Sequence, residues 1–258
     1  MTSSHPAGVA GRNRTGVVVP SYKEASNIAA LLAAIRAAVP DSLIVVVDDS
    51  PDRATVDAVN SAGMADVEVV HRSVKGGRGS AVIEGLRILL ERGCERIVEM
   101  DADFSHDPAE IPGLLSAMDS RQLDMIIGSR YLPASRIERW PLSRRLFSRA
   151  ANIVAATLLR VPIHDYTNGF RVYTQPAARM VAETCGRIGS GFIPLSETLV
   201  NLWHRGYAIG EVPSVFVNRA RGESSINATE ISNAVVGIVK IFFLGRRLKQ
   251  AQRTEVGR

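Results

Sequence analysis

The sequence predicts an α/β fold: a mostly parallel sheet with helices on both faces. Short β-branched apolar runs alternate with amphipathic helical patterns through the first half of the chain, as consecutive βα units do. Several of those runs are apolar without interruption, as strands covered on both faces are. Hydrophobic residues make up 46% of the 258-residue chain, enough for one packed core, and 22% charged residues argue against general disorder.

Thr15–Val19 reads as the first strand and Ser26–Val39 as a helix rich in alanine and leucine, with Ser26 as its cap. Leu43–Val47 is a continuous apolar run bounded by polar residues, a strand buried on both faces. Helix over Arg53–Ser61, strand over Val67–Val70 and helix over Ser80–Glu91 follow. Ile97–Met100 is a strand, Pro108–Met118 a helix opened by Asp107-Pro108, and Met125–Ile127 another strand. The second half changes character. Ser143–Leu159 is an amphipathic helix carrying arginines, His164–Gly169 is rich in turn formers, and Leu195–Arg205 is a helix. Ala208–Val217 reads as a strand pair around Pro213. Thr229–Leu248 is a long helix with Val235, Ile238, Val239, Phe242 and Phe243 at helical spacing. No repeat or linker divides the chain.

Charge is unevenly placed. Arg136–Arg160 holds six arginines against Glu138, and Lys240–Arg258 six basic residues against Glu255, so the rest of the chain is net acidic although the total is +5. Both basic segments are rich in apolar residues, which suits an anionic lipid surface. A solvated basic face is the plainer alternative. Nucleic acid is not expected as a partner, because no helix-turn-helix, zinc-finger or RNP pattern accompanies the charge. The apolar run Ala234–Leu244, interrupted by Lys240, is too short to span a bilayer. Met1–Gly16 is polar and lacks the apolar stretch of a secretory signal. Cys94 and Cys185 have no metal-ligand spacing and read as buried thiols of a reducing compartment, most simply the cytosol.

Ligands of such sheets sit beyond the carboxyl ends of the strands, and the polar clusters fall there. The first strand ends in Pro20-Ser21-Tyr22-Lys23-Glu24, which is not a dinucleotide-binding glycine motif. Asp48 and Asp49 end the second strand, where they suit either ribose or base contacts or the capping of the next helix. Gly76-Gly77-Arg78-Gly79-Ser80 lacks the P-loop pattern and reads as a turn that lets backbone approach a ligand, with Lys75 or Arg78 nearby. Asp101-Ala102-Asp103 ends the fourth strand, and alternation places Glu99, Asp101 and Asp103 on one side. Asp-x-Asp is about the smallest protein unit that holds a hard divalent cation on a diphosphate. Helix capping, its other use, is already served by Asp107. His71, His106 and His164 are expected to be structural.

In order, PSYKE, DDSPD, KGGRGSAVIEGL, MDADFSHDP, IGSRY, DYTNGFRVY and FVNRARGES resemble the dolichol- or polyprenol-phosphate mannose synthases, family-2 glycosyltransferases with the GT-A fold, from about Val17 to Lys240. The resemblance implies a single GT-A domain over 15–249, with a disordered leader at 1–14 and a tail at 250–258. Within it, a donor half covers 15–130 and an acceptor and membrane half 131–249. Pro20, Tyr22 and Glu24 would cradle the nucleobase, with Val46 and Asp48 completing the pocket and Ala102 lining the donor. Asp101 and Asp103 would hold Mg²⁺ or Mn²⁺, with Ser105 a weaker third ligand. Arg130 would face the donor diphosphate rather than the core. Arg219 would meet donor or acceptor phosphate, and Arg144, Arg149, Arg221 and Ser224 the acceptor phosphate. Two departures leave the nucleotide and sugar open: Ser225 stands where the family has lysine, and the acidic loop after Asp48 is one residue shorter. The implied reaction inverts the anomeric carbon, moving a sugar, mannose from GDP-mannose, to a polyprenyl or dolichyl monophosphate. The enzyme would sit peripherally on the cytoplasmic face of a membrane, alone, as a homo-oligomer or beside a membrane subunit. A UDP-glucose or other UDP-sugar enzyme, a non-catalytic nucleotide-sugar-binding subunit and a nucleotidyltransferase remain as alternatives.

Overall fold

In a computed structural model, which describes residues 14–186, 188, 193–218 and 228–256, β-branched runs pair into a seven-stranded sheet. The strands are β1 (Thr15–Ser21), β2 (Leu43–Asp48), β3 (Val67–His71), β4 (Arg96–Glu99), β5 (Met125–Ser129), β7 (Arg171–Thr174) and β8 (Ile209–Pro213), in the order β3-β2-β1-β4-β7-β5-β8. Every pairing is parallel except those of β7, which runs antiparallel between β4 and β5. A separate pair joins β6 (Arg136–Glu138) to β9 (Val215–Val217).

Side-chain alternation along the buried strands feeds two core layers. Val18, Val45 and Val47 face one layer with Leu86 and Leu89 of α3 (Arg78–Glu91), α6 (Gln175–Thr184) and α7 (Ile193–Trp203). Val17, Val19, Ile44 and Val46 face the other, with Leu31 and Ile35 of α1 (Ile28–Ala38) and Leu114 and Met118 of α4 (Ile111–Ser120). Both faces are covered, which is why the strands read as unbroken apolar runs. Cys94 and Cys185 are buried free thiols.

The structure differs from the sequence reading at several elements. Ser26 does not cap α1; the turn is closed by the Glu24 carbonyl, which accepts from the Asn27 and Ile28 amides at 2.9 Å. Strand β7 went unread because Arg171 interrupts its apolar pattern; the guanidinium is fully buried and donates to the carbonyls of Asn168, Leu195 and Tyr166. Helix α6 begins Gln175-Pro176 straight after that strand, so no polar linker marks its start. Finally, α8 (Ala228–Val256) extends into the segment read as a tail.

Arg144, Arg145 and Arg149 of the first basic segment lie on α5 (Leu142–Leu159), which adjoins α8, the helix that carries most of the second. Only Asn152, Ala155 and Leu159 of α5 are buried, whereas Leu142, Leu146, Phe147, Ile153, Val154 and Leu158 are exposed. On α8, Ile241 is buried and Ile238 and Phe242 pack on the core, but Val236, Val239 and Phe243 face outward; the Val235 side chain lies outside the described residues. No helix among the described residues is long and apolar enough to cross a membrane.

Candidate active site

Strands β1, β2, β4 and β5 are mutually parallel, so their carboxyl ends gather at one edge. Beyond β1, Tyr22 is exposed, and the ammonium of Lys75 sits 3.6 Å from its ring centroid. Lys23 takes a left-handed φ of 60° while its amide donates to Ser50 Oγ at 2.8 Å. Glu24 is nearly buried and accepts from Asn27 Nδ2 at 2.7 Å. Pro20 is buried at the end of β1.

The two aspartates after β2 differ in use. Asp48 is fully buried, accepting from Ser50 Oγ at 2.7 Å and lying 3.3 Å from His71 Nδ1. Asp49 caps no helix; it takes a two-pronged grip from Arg72 and the Gly77 amide at 2.8 Å, fixing the glycine-rich turn. Gly77 has φ +84°, a conformation side chains resist, and this turns the chain into α3. Val46 lies wholly within the α1/α4 core layer. It is fully buried and presents no surface to a nucleobase.

The acidic strand end carries a cation of its own. Arg78 Nε donates to Asp101 Oδ1 and its Nη1 to Glu99 Oε1, each at 2.7 Å, and Nη2 lies 3.4 Å from the Gly169 carbonyl. Glu99 is 1% exposed, and its second oxygen accepts from Tyr173 O–H at 2.7 Å. Burial, then the negative charge of Glu99, pushes the Tyr173 hydroxyl well above its usual range, so it stays a donor. Asp103 Oδ1 accepts the Ser105 amide at 2.9 Å. Ser105 thus orients Asp103 through its backbone and is itself buried. Ala102 packs in the core, and the next residue but one, Phe104, is exposed with φ +58°. Glu99 therefore does not join Asp101 and Asp103 as a third open carboxylate. Among the described residues no cluster of three metal-ligating side chains occurs. Asp101 and Asp103 offer carboxylate oxygens at a strand end where a substrate's oxygens and water can complete a shell. That donor set fits Mg²⁺ or Mn²⁺, which need few protein ligands.

Arg130 faces inward, contrary to expectation. It is 7% exposed and donates to Asp165 Oδ2 at 2.8 Å, Asp165 Oδ1 at 2.7 Å and Thr167 Oγ1 at 2.7 Å. Burial alone would raise the Asp165 carboxyl; the Arg130 charge and hydrogen bonds hold it below the ordinary carboxylate range. The reason is the segment 165–173, whose side chains and backbone meet Arg78, Glu99, His106, Gly128 and Arg130. Asn168 Nδ2 donates to the Gly128 carbonyl, leaving Oδ1 to accept from His106 Nε2 at 2.8 Å. His106 Nδ1 then has no partner among the described residues. Burial keeps this imidazole below its usual pKa despite the charge of Asp101, so it is neutral near pH 7. His106 stacks on Phe170 at 5.1 Å and meets Phe216 edge-on at 5.3 Å; Phe216 meets Trp140 at 5.1 Å, and the Arg144 guanidinium lies 4.4 Å from the Trp140 ring. Arg144 also donates to Asn218 Oδ1, while Arg149 is exposed. Arg219, Arg221 and Ser224 lie outside the described residues.

Sequence reasoning named Asp101, Asp103 and Arg130, and set Arg78 near a ligand without linking it to Asp101, but gave no role to Asp165, Asn168, Gly169 or Tyr173. The signal was present, in the glycine-rich turn and in DYTNGFRVY, but neither segment states which strand end it will reach.

A parallel sheet with an Asp-x-Asp pair at a central strand end is the GT-A architecture of nucleotide-sugar transferases. Glucosyl-3-phosphoglycerate synthase from Mycobacterium tuberculosis, solved with Mn²⁺, uridine diphosphate and phosphoglyceric acid, shares it: TM-score 0.64 over 90% of this chain and 79% of that one, at 17% identity. Residues 16–181 match the Glycosyl transferase family 2 domain. An undecaprenyl-phosphate mannosyltransferase of Micrococcus luteus is 36% identical over 231 residues, 88% of this chain and 93% of that protein. A polyprenol monophosphomannose synthase of Mycolicibacterium smegmatis is 34% identical over 244 residues, 93% of this chain and 91% of that one. The chain belongs to glycosyltransferase family 2 and is a glycosyltransferase.

Proposed function

We propose that the enzyme moves mannose from GDP-mannose to a polyprenyl monophosphate, at the surface of a membrane. The observation that carries this reading is the continuity between two surfaces. From the acidic strand end, His106, Phe216, Trp140 and Arg144 form an unbroken row to the first turn of α5, whose outer face is apolar and arginine-flanked. A donor diphosphate at Asp101 and Asp103 and a lipid resting on α5 would then meet head to head. The names of the two mannosyl-transferring relatives, matched over most of their length, support mannose as the sugar and a polyprenyl phosphate as the acceptor.

In this reading Tyr22 and Glu24, with Pro20 behind them, bind the base, and Asp48 stiffens the pocket floor through Ser50. Asp101 and Asp103 hold Mg²⁺ or Mn²⁺. When bound, the cation neutralises the departing nucleoside diphosphate. Ser105 keeps Asp103 aimed, and Arg130, tied to Asp165, holds the site's floor. Arg144, Arg149, Arg219, Arg221 and Ser224 serve the acceptor phosphate, guanidinium forks matching its oxygens. That phosphate is already anionic and needs no strong base, which agrees with a neutral His106 whose Nε2–H is given to Asn168. Attack opposite the leaving group inverts the anomeric carbon. The protein works peripherally on the cytoplasmic leaflet.

The test is radiolabel transfer from GDP-mannose and, separately, UDP-glucose to a short polyprenyl phosphate in detergent, with Mn²⁺ and with chelator. Metal-dependent labelled lipid from GDP-mannose alone is expected. Transfer only from the UDP-sugar would replace the donor, and no lipid product from either would end the reading.

A further inference from the structure

We propose that Arg78 is a built-in counter-ion that closes Asp101 to a bare divalent cation and opens it to one already carrying a diphosphate. This rests on the metal–diphosphate reading of Asp101 and Asp103. Arg78 is the first residue of α3, after the pivot at Gly77. Its guanidinium touches three groups of unequal freedom. Glu99 is sealed in the sheet and held from behind by Tyr173. Gly169 presents bare backbone, where an added Cβ would stand 1.8 Å from Nη2. Asp101 alone of the three has an appreciably open side chain, 27% exposed. The cradle is thus built for a guanidinium, and among the described residues its only outward-facing bond is the one on the carboxylate that a metal needs.

The consequence is electrostatic. A bare dication arriving at Asp101 must share a carboxylate already ion-paired through Oδ1 to Nε and then sit beside a fixed positive charge. A cation bound to a diphosphate brings compensating negative charge and offers the guanidinium phosphate oxygens in place of Asp101. Arg78 therefore opposes the first and accepts the second, and it couples cation to nucleotide within one site. A merely structural Arg78–Glu99 pair predicts no such coupling.

The experiment counts free Mn²⁺ by electron paramagnetic resonance, with and without GDP and with and without UDP. It uses the full chain, Arg78→Gln, Arg78→Gln/Glu99→Gln and Gly169→Ala. The double variant avoids leaving Glu99 as a buried unpaired carboxylate. Gly169→Ala displaces the guanidinium without deleting a charge, so one variant remains informative if the others do not fold. The wild type is expected to bind bare Mn²⁺ weakly and to gain when a nucleoside diphosphate is added. The variants should bind bare Mn²⁺ about 10- to 100-fold more tightly and gain little from nucleotide, within the usual range for linked sites. Folded variants that bind bare Mn²⁺ no better than wild type, with wild-type coupling intact, would overturn the role of Arg78 alone. Nucleotide binding indifferent to Mn²⁺ in the wild type would remove the metal–diphosphate reading and this proposal with it.

Discussion

The carboxyl end of β4 and the outer face of α5 both carry several charges, and they hold them in opposite ways. At the strand end each ionised group is met by a fixed partner: Arg78 between Glu99 and Asp101, Arg130 on Asp165, Asp103 on the Ser105 amide. On α5, Arg149 stands exposed beside Leu146, Phe147 and Ile153, and of its neighbours Arg144 is steadied by Trp140. The first arrangement is rigid before any ligand arrives, as selective polyanion recognition requires. The second is a surface, where area and charge add up and no single geometry is demanded. Substitutions at the buried charges of the strand end should therefore change stability and chemistry together, whereas those on the outer face of α5 should change partition alone.

The sharpest break in that contrast is Asp165→Asn. It leaves the Arg130 guanidinium buried without a counter-charge, a loss of about 3–5 kcal/mol, read as a large fall in melting temperature. The pH dependence has a definite sign. Because the folded carboxyl titrates below its ordinary value, its contribution is complete above the unfolded pKa of about 3.9. It is lost as pH falls through the lower folded value. The gap between wild type and variant should close below about pH 4; a gap that widens there would show that the pair does not stabilise the fold. Arg130→Ala should likewise lower melting temperature as well as turnover.

Asp103→Asn comes next. Its carboxylate is partly exposed and its bond to the Ser105 amide survives as an amide oxygen, so melting should change little. Mn²⁺-dependent binding of the nucleotide-sugar, by calorimetry, should weaken about 10²-fold, the scale for losing a directed charge in a desolvated site. Wild-type affinity would take Asp103 out of the metal site.

On α5, Leu146→Ser with Phe147→Ser should reduce sedimentation with anionic liposomes by roughly 10-fold or more, since each apolar side chain inserted contributes about 1.5–3 kcal/mol when fully buried. Melting should be unaffected because both are exposed. Arg149→Gln is the mildest, about 1 kcal/mol or roughly 5-fold at low salt, vanishing as salt screens it. Partition indifferent to all three changes would assign that face to a protein partner.

Much of this was legible in one dimension, for reasons that particular residues make plain. The central strands announce themselves because burial on both faces leaves only β-branched apolar residues between Val17 and Val19 and between Leu43 and Val47. Asp101 and Asp103 stood out because a strand end facing solvent needs no paired carboxylates for packing. The arginines and leucines of Ser143–Leu159 showed their helical spacing, though whether the apolar side turned inward or outward was open until Asn152, Ala155 and Leu159 proved to be the buried side. The inward turn of Arg130 and the burial of Asp48 were not legible, since an arginine or aspartate at a strand end looks alike whether its partner is a ligand or another strand's neighbour.

The sequence by itself determined the α/β class, the run of strands up to Met125–Ile127, the acidic pair and the two basic apolar helices, because periodicity and composition are local consequences of burial. Only the tertiary structure decided that β7 enters antiparallel between β4 and β5. That crossing brings Gly169 and Tyr173 to Arg78 and Glu99, and Asp165 to Arg130, over separations of 74 residues for Tyr173 and Glu99 and 35 for Asp165 and Arg130. Contacts of that span follow from which strands become neighbours, and no local pattern records them.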